Sequence, residues 1–283
     1  MNRLSADRCA AVVQALLEGT SIRTIARATG VAKNTVARLL GEVGAACLKY
    51  QREHAVSLSC KRIQCGEIWT FAGMKEKQPG SSVRGLVEQG DAWTWVAICA
   101  DSKLVAAFHV GKHTRQDAES FIVDLAGRLA NRVQLTTDGY RAYLTAIEDA
   151  FDWNGVDYTI LDQIYESAPE GEKHYGPAAR TEAIRKPIMG GPYDQYSSST
   201  YVERQKFSIR MQTRRHTRLA NAFSKKMENH RQAVALHFMH YNYCRPHMTL
   251  AQERNGIYTT PAMAAGLTDH VWRIEELISL LRN

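Results

Sequence analysis

The sequence predicts an α/β chain, a mixed sheet with flanking helices, preceded by a small all-α head. Two observations carry this reading. Residues 5–42 hold three short helical stripes and no strand pattern. From residue 62 onward, apolar runs of strand length alternate with amphipathic stretches, the mark of a sheet covered by helices. With 283 residues, the chain can build one large domain or two smaller ones around a well-buried core.

In the head, Val12, Val13, Leu16 and Leu17 stripe a first helix, with Ser5 as N-cap and Gly19 as its stop. SIRTIARATG supplies a second, with Ile22, Ile25 and Ala26 inward and Gly30 closing it. AKNTVARLLGEV starts a third, with Val36, Leu39 and Leu40 on one face. Two short helices joined by a tight glycine-containing turn form a helix-turn-helix, whose later helix meets base edges with its N-terminal residues. Here those residues are Lys33, Asn34, Thr35 and Arg38, all able to bond bases or phosphates. A three-helix bundle with a solvated polar face fits the same stripes. The predicted boundaries are a head at 1–50, a polar linker at 51–60, an α/β body at 61–255 and a helical tail at 256–283.

The body begins with strands at 62–73, 94–101 and 103–111, the last two joined closely enough for a hairpin. A helix at 115–130 follows, with Phe121, Ile122, Leu125 and Leu129 on one face, then a strand at 133–139, a helix at 140–151 and a strand at 157–165. Residues 166–200, rich in Gly, Pro and Ser, read as a long irregular insertion. A long helical stretch comes next, carrying Arg204, Lys206, Arg210, Arg214, Arg215, Arg218, Lys225 and Lys226 against only Glu203 and Glu228. Most of the formal charge of +7 therefore lies in one segment. So one-signed a run points to a polyanion more than to a merely solvated face.

The six cysteines lack paired metal-binding spacing, so reduced thiols are expected and a structural zinc is not. No apolar stretch has the length of a membrane span, and a cytoplasmic protein is expected. His109 and His113 flank the third strand and read as surface or core histidines ahead of metal neighbours; Trp69, Trp93 and Trp95 lie on strands and read as core ahead of base-stacking platforms. Tyr241, Tyr243, Arg245 and His247 can approach DNA or simply pack the last helix.

Three positions bear on chemistry. Asp138 ends a strand that opens into a helix, the usual place for site residues in α/β sheets, and reads equally well as a helix N-cap. Glu203 is the acid at the start of the basic helix, where it also complements the helix dipole. Gly66 interrupts the first strand beside Glu67, where a glycine marks a bulge, a close approach or a missing side chain. Carboxylates on a first strand, a later strand end and a following helix make a divalent-cation site. Two such ions, roughly 3.5–4 Å apart, clamp an in-line phosphoryl displacement.

GEIWTF, TTDGYRAY, YVERQKFSIRMQTRRHTRLANAFSKK and FMHYNYCRPHMTL resemble the DDE transposases of the insertion sequence one family, and the likeness continues through TPAMAAGL at 260–267. The resemblance implies an RNase H-like fold and cleavage and joining of DNA at element ends with Mg²⁺ (or Mn²⁺), two ions in all. It implies action as a homo-oligomer on paired ends and target DNA, in the nucleoid. It assigns Asp138 and Glu203 as second and third ligands and places Arg210 near the same helix face. Family members read Asp-Glu-Ile/Leu-Trp in the first strand, so Gly66 stands where the first ligand belongs. Glu67 points to the opposite face of the strand, and Asp101 is a more distant substitute. The expectation is therefore a transposase with impaired cleavage, or a catalytically inactive, transposase-derived DNA-binding protein.

Overall fold

Six strands form one mixed sheet in the order β3-β2-β1-β4-β5-β6. The computed structural model describes residues 4–76, 89–151, 155–165, 180–216 and 223–282. Strands β1 (Arg62–Ala72), β2 (Gly90–Cys99) and β3 (Val105–Gly111) are antiparallel neighbours. Strand β4 (Val133–Thr137) joins β1 in parallel and β5 (Val156–Tyr165) joins β4 in parallel, each reached after a helix that covers the sheet. The hairpin between β2 and β3 turns through Lys103, whose φ is 61°.

Side-chain alternation along β1 sorts the two layers. Ile63 and Cys65 enter the core beneath helices α4 (Arg115–Arg128) and α5 (Ala142–Ala150). Ile68 and Ala72 enter a second core with Val202 and Ile209 of α6 (Thr200–Gln212) and Val234 and Phe238 of α7 (Met227–Met239). Gln64 and Gly66, with the parity of Ile68, face α6.

The head holds α1 (Ala6–Leu17), α2 (Ile22–Thr29) and α3 (Lys33–His54). Gly30 closes α2 in the left-handed conformation, φ 67°, as a glycine stop requires. Helix α3 does not end near residue 50. Residues 51–54, expected in a linker, are its last turn, because Cys47 and Gln51 are both buried and Gln51 Nε2 donates to the Ala235 carbonyl, 3.2 Å away. Close approach of α3 and α7 needs a glycine: a Cβ at Gly44 would lie 2.3 Å from the Gln232 carbonyl oxygen. Short helices α8 (Met248–Glu253), α9 (Pro261–Ala264) and α10 (Ile274–Ser279) follow α7. Leu277 and Ile278 of α10 share one apolar core with the head and with the sheet.

Two further expectations change. Within the stretch read as irregular, Arg180–Met189 forms β6, antiparallel to β5. An edge strand tolerates its Pro187 and its solvated Arg185 and Lys186, which is why the composition looked loop-like. The basic stretch is not one helix either. Helix α6 stops at Gln212, a 3₁₀ turn covers Arg214–His216, and α7 starts at Met227. At the opposite edge, the Asn242 side chain bonds both the amide and the carbonyl of Val105 at 3.0 Å, standing in for a neighbouring strand.

Candidate functional site

The β1–β4 ladder pairs Arg62 with Gln134 and Gln64 with Thr136; the same offset continued sets Gly66 beside Asp138. Gln64 Oε1 accepts the amides of Tyr201 (2.8 Å) and Val202 (3.2 Å), two donors that a helix start leaves without intrahelical partners. That bond pins the start of α6 over β1 and brings Glu203 to the same region. Gly66 is the close approach between the two elements. A Cβ there would lie 3.3 Å from Val202 Cγ2 and 2.7 Å from both Cε and Nζ of Lys206. The Lys206 ammonium bonds Glu203 Oε1 at 2.8 Å, and its side chain is only 12% exposed against 47% for Glu203.

Asp138 is half-buried and is not the N-cap of α5; its Oδ1 accepts the Tyr140 amide two residues on, at 3.3 Å. Burial, then the charge of Glu67, pushes its carboxyl up to about 6. The Lys206 charge and the Tyr140 amide oppose the rise, and Glu203 adds to it.

Glu67 lies on the opposite face of β1. Its Oε2 accepts the Tyr143 hydroxyl at 3.0 Å, Oε1 lies 3.3 Å from His113 Nε2, and the side chain is 6% exposed. The His113 ring stacks on Trp93 and Tyr140, with centroids 4.2 and 3.9 Å away. Glu67 is thus tied into the α5 layer and does not replace a ligand at 66. Asp101 pairs with Arg62 at the start of β1, four residues and about 13 Å along the strand from Gly66, so it does not replace one either. His109 is bonded to Asp117 at 2.7 Å.

A magnesium pair needs several oxygen ligands around an open position. Here an ammonium bonded to one carboxylate and acting on the other lies against Gly66. Among the described residues, no group of three or more His, Cys, Asp or Glu is placed to hold a metal. The residues present do not fit a two-metal centre.

The DNA-facing candidates divide. Lys33, Asn34 and Arg38 are exposed at the start of α3 and Thr35 is half-buried; Arg38 also lies 3.6 Å from Glu42. Arg204 and Arg214 are exposed, whereas Arg210 is half-buried. Arg215 is turned inward, donating to Ser224 Oγ at 2.8 Å, while its carbonyl accepts from Thr70. Arg218 lies outside the described residues. Phe207 and Met211, 63% and 70% exposed, share the outer face of α6 with Arg204 at helical spacing.

Sequence reasoning passed over the buried histidines His216, His230 and His237 beneath this segment. Burial holds all three below the usual histidine range, with His230 and His237 pushed down to about 3. It read Lys206 only as one cation of the basic run; the signal for its pairing was its spacing of three from Glu203 on a helix. No family model matches the chain, and no curated protein matches it. No described helix is long and apolar enough to cross a membrane.

Proposed function

We propose that this chain is a transposase-type protein that binds insertion-sequence DNA and cleaves it poorly or not at all. The observation that carries the reading is the convergence of Asp138, from a parallel strand end, and Glu203, from a covering helix, on a central-strand position that lacks its carboxylate. A six-stranded mixed sheet with flanking helices is compatible with the RNase H-like fold that such chemistry uses. In this reading the start of α3 reads base edges through Lys33, Asn34 and Arg38. Arg204 and Arg214 hold phosphates beside the carboxylates, and two or more copies act on paired element ends in the nucleoid.

The test is binding and cleavage of duplexes taken from the DNA that flanks the protein's own coding sequence, with scrambled duplexes as controls. Tight, salt-sensitive binding that prefers the flanking DNA is expected, without strand cuts in Mg²⁺. Arg204→Ala with Arg214→Ala should lower the salt slope by roughly one per lost phosphate contact. Equal binding to scrambled DNA in the parent and in Asn34→Ala would overturn end recognition. Efficient cutting by the parent, lost in Asp138→Ala, would establish the second reading, an active transposase, which the retained Asp138 and Glu203 favour.

A further inference from the structure

We propose that Lys206 is the resident cation of this site: its ammonium bonds Glu203 and lies against Gly66, and with Gly66 it closes the site to metal. The inference rests on the functional reading above for the identity of the carboxylates. It goes beyond a missing ligand, because it makes Lys206 a second barrier to metal binding.

A lysine on a surface helix normally lays its stem along the protein and lifts its ammonium into water. Lys206 does the opposite: its ammonium is folded back beneath α6, 12% exposed, against β1. A residue without a Cβ leaves room for it: a Cβ at 66 would stand 2.7 Å from both Cε and Nζ, and the Lys206 tip would have to swing away. Gly66 does not use left-handed backbone space, so this close approach, and no turn, is what a glycine there permits. Gly66 and Lys206 are complementary shapes, and a side chain at one requires the other to move.

The ammonium bonds Glu203 at 2.8 Å and so already engages one of the carboxylates that a metal would need, while its charge only partly offsets the burial of the other, Asp138. A divalent ion arriving there would meet a like charge and find one ligand engaged. An ammonium still attracts a phosphate as a point charge. It cannot supply the open coordination position on which metal-assisted hydrolysis depends.

Restoring an aspartate alone should therefore fail to restore metal binding, because the new carboxylate gains Lys206 as its ion-pair partner. The experiment measures Mn²⁺ binding to the full-length chain by electron paramagnetic resonance, in the parent, Gly66→Asp, Lys206→Ala and the double variant. Melting curves and duplex binding are recorded for each. The double variant is expected to bind Mn²⁺ at least tenfold more tightly than Gly66→Asp, and to lose the gain when Asp138→Ala is added. A role in helix stability alone would shift melting without that dependence on Asp138. If the alanine double fails to fold, Lys206→Met, which keeps the apolar stem, takes its place. Mn²⁺ binding by Gly66→Asp within twofold of the double would overturn the proposal. Absence of binding in the folded double variant would also overturn it, while retained duplex binding would leave the DNA-binding reading standing.

Discussion

At the residue scale, Asp138 carries a charge its surroundings oppose. Its folded carboxyl is pushed up to about 6 from an ordinary 3.8, so the native state binds a proton between roughly pH 4 and 6 that the unfolded chain does not. A raised acid makes stability fall as pH rises through that window. Asp138→Asn keeps an oxygen for the Tyr140 amide and removes the charge. It should stabilise the protein at pH 8 by on the order of 1–3 kcal/mol, the gain vanishing below about pH 4. Denaturant titrations of both proteins at pH 4 and pH 8 check this. A gain that persists at pH 4 would assign the effect to packing.

At the element scale, glycines with different neighbours should answer the same substitution with opposite signs. Gly44 lets α3 lie against α7, and a methyl there would meet the backbone of Gln232, with its carbonyl oxygen at 2.3 Å. Backbone cannot rotate away as a side-chain tip can. Gly44→Ala should therefore force the helices apart and cost about 1–3 kcal/mol, as overpacking does. Gly127 lies in α4 with nothing within 4 Å of its added Cβ, and Gly127→Ala should instead stabilise by roughly 0.5–1 kcal/mol. Urea midpoints of the two variants decide the matter. The contrast also shows why α3 runs past the expected boundary: its second half is held by α7.

At the scale of the whole molecule, the head, one face of the sheet and the last helix share one apolar core. One cooperative transition is the natural consequence, and its pH dependence reports on the buried histidines. His216, His230 and His237 are held neutral by burial, with folded values far below the unfolded 6.5. A depressed base contributes stability that is fully present above about pH 6.5 and is lost as pH falls toward the folded value. Asp138 has the opposite sign between pH 6 and 4, but it stands against these three and against His240, which burial pushes down to about 4. Net stability should thus fall from pH 6.5 to pH 4, and His230→Leu should flatten that fall. Melting temperatures across the range, followed by far-UV circular dichroism and tryptophan fluorescence together, test both the slope and the single transition.

What the sequence determined by itself is what short-range periodicity encodes. Apolar runs of strand length located β1 to β5, amphipathic stretches located α1, α2, α4 and α5, and the glycine opening GEIWTF marked a close approach in β1. Periodicity is set by neighbours along the chain, so it survives without tertiary context. The misread elements were those whose neighbours lie far away in sequence. Gln51 is polar yet buried, because Ala235 on α7 accepts its amide. Strand β6 contains Pro187 and solvated cations, because an edge strand needs only one partner. Arg215 reads as one more exposed cation, but Ser224 turns it inward. Lys206 shows the limit most clearly. Its spacing from Glu203 is written in the sequence, but the direction of its ammonium is not. Only the folded chain brings a strand with no side chain at Gly66 beneath α6, and that missing volume, created by residues remote along the chain, draws the charge inward.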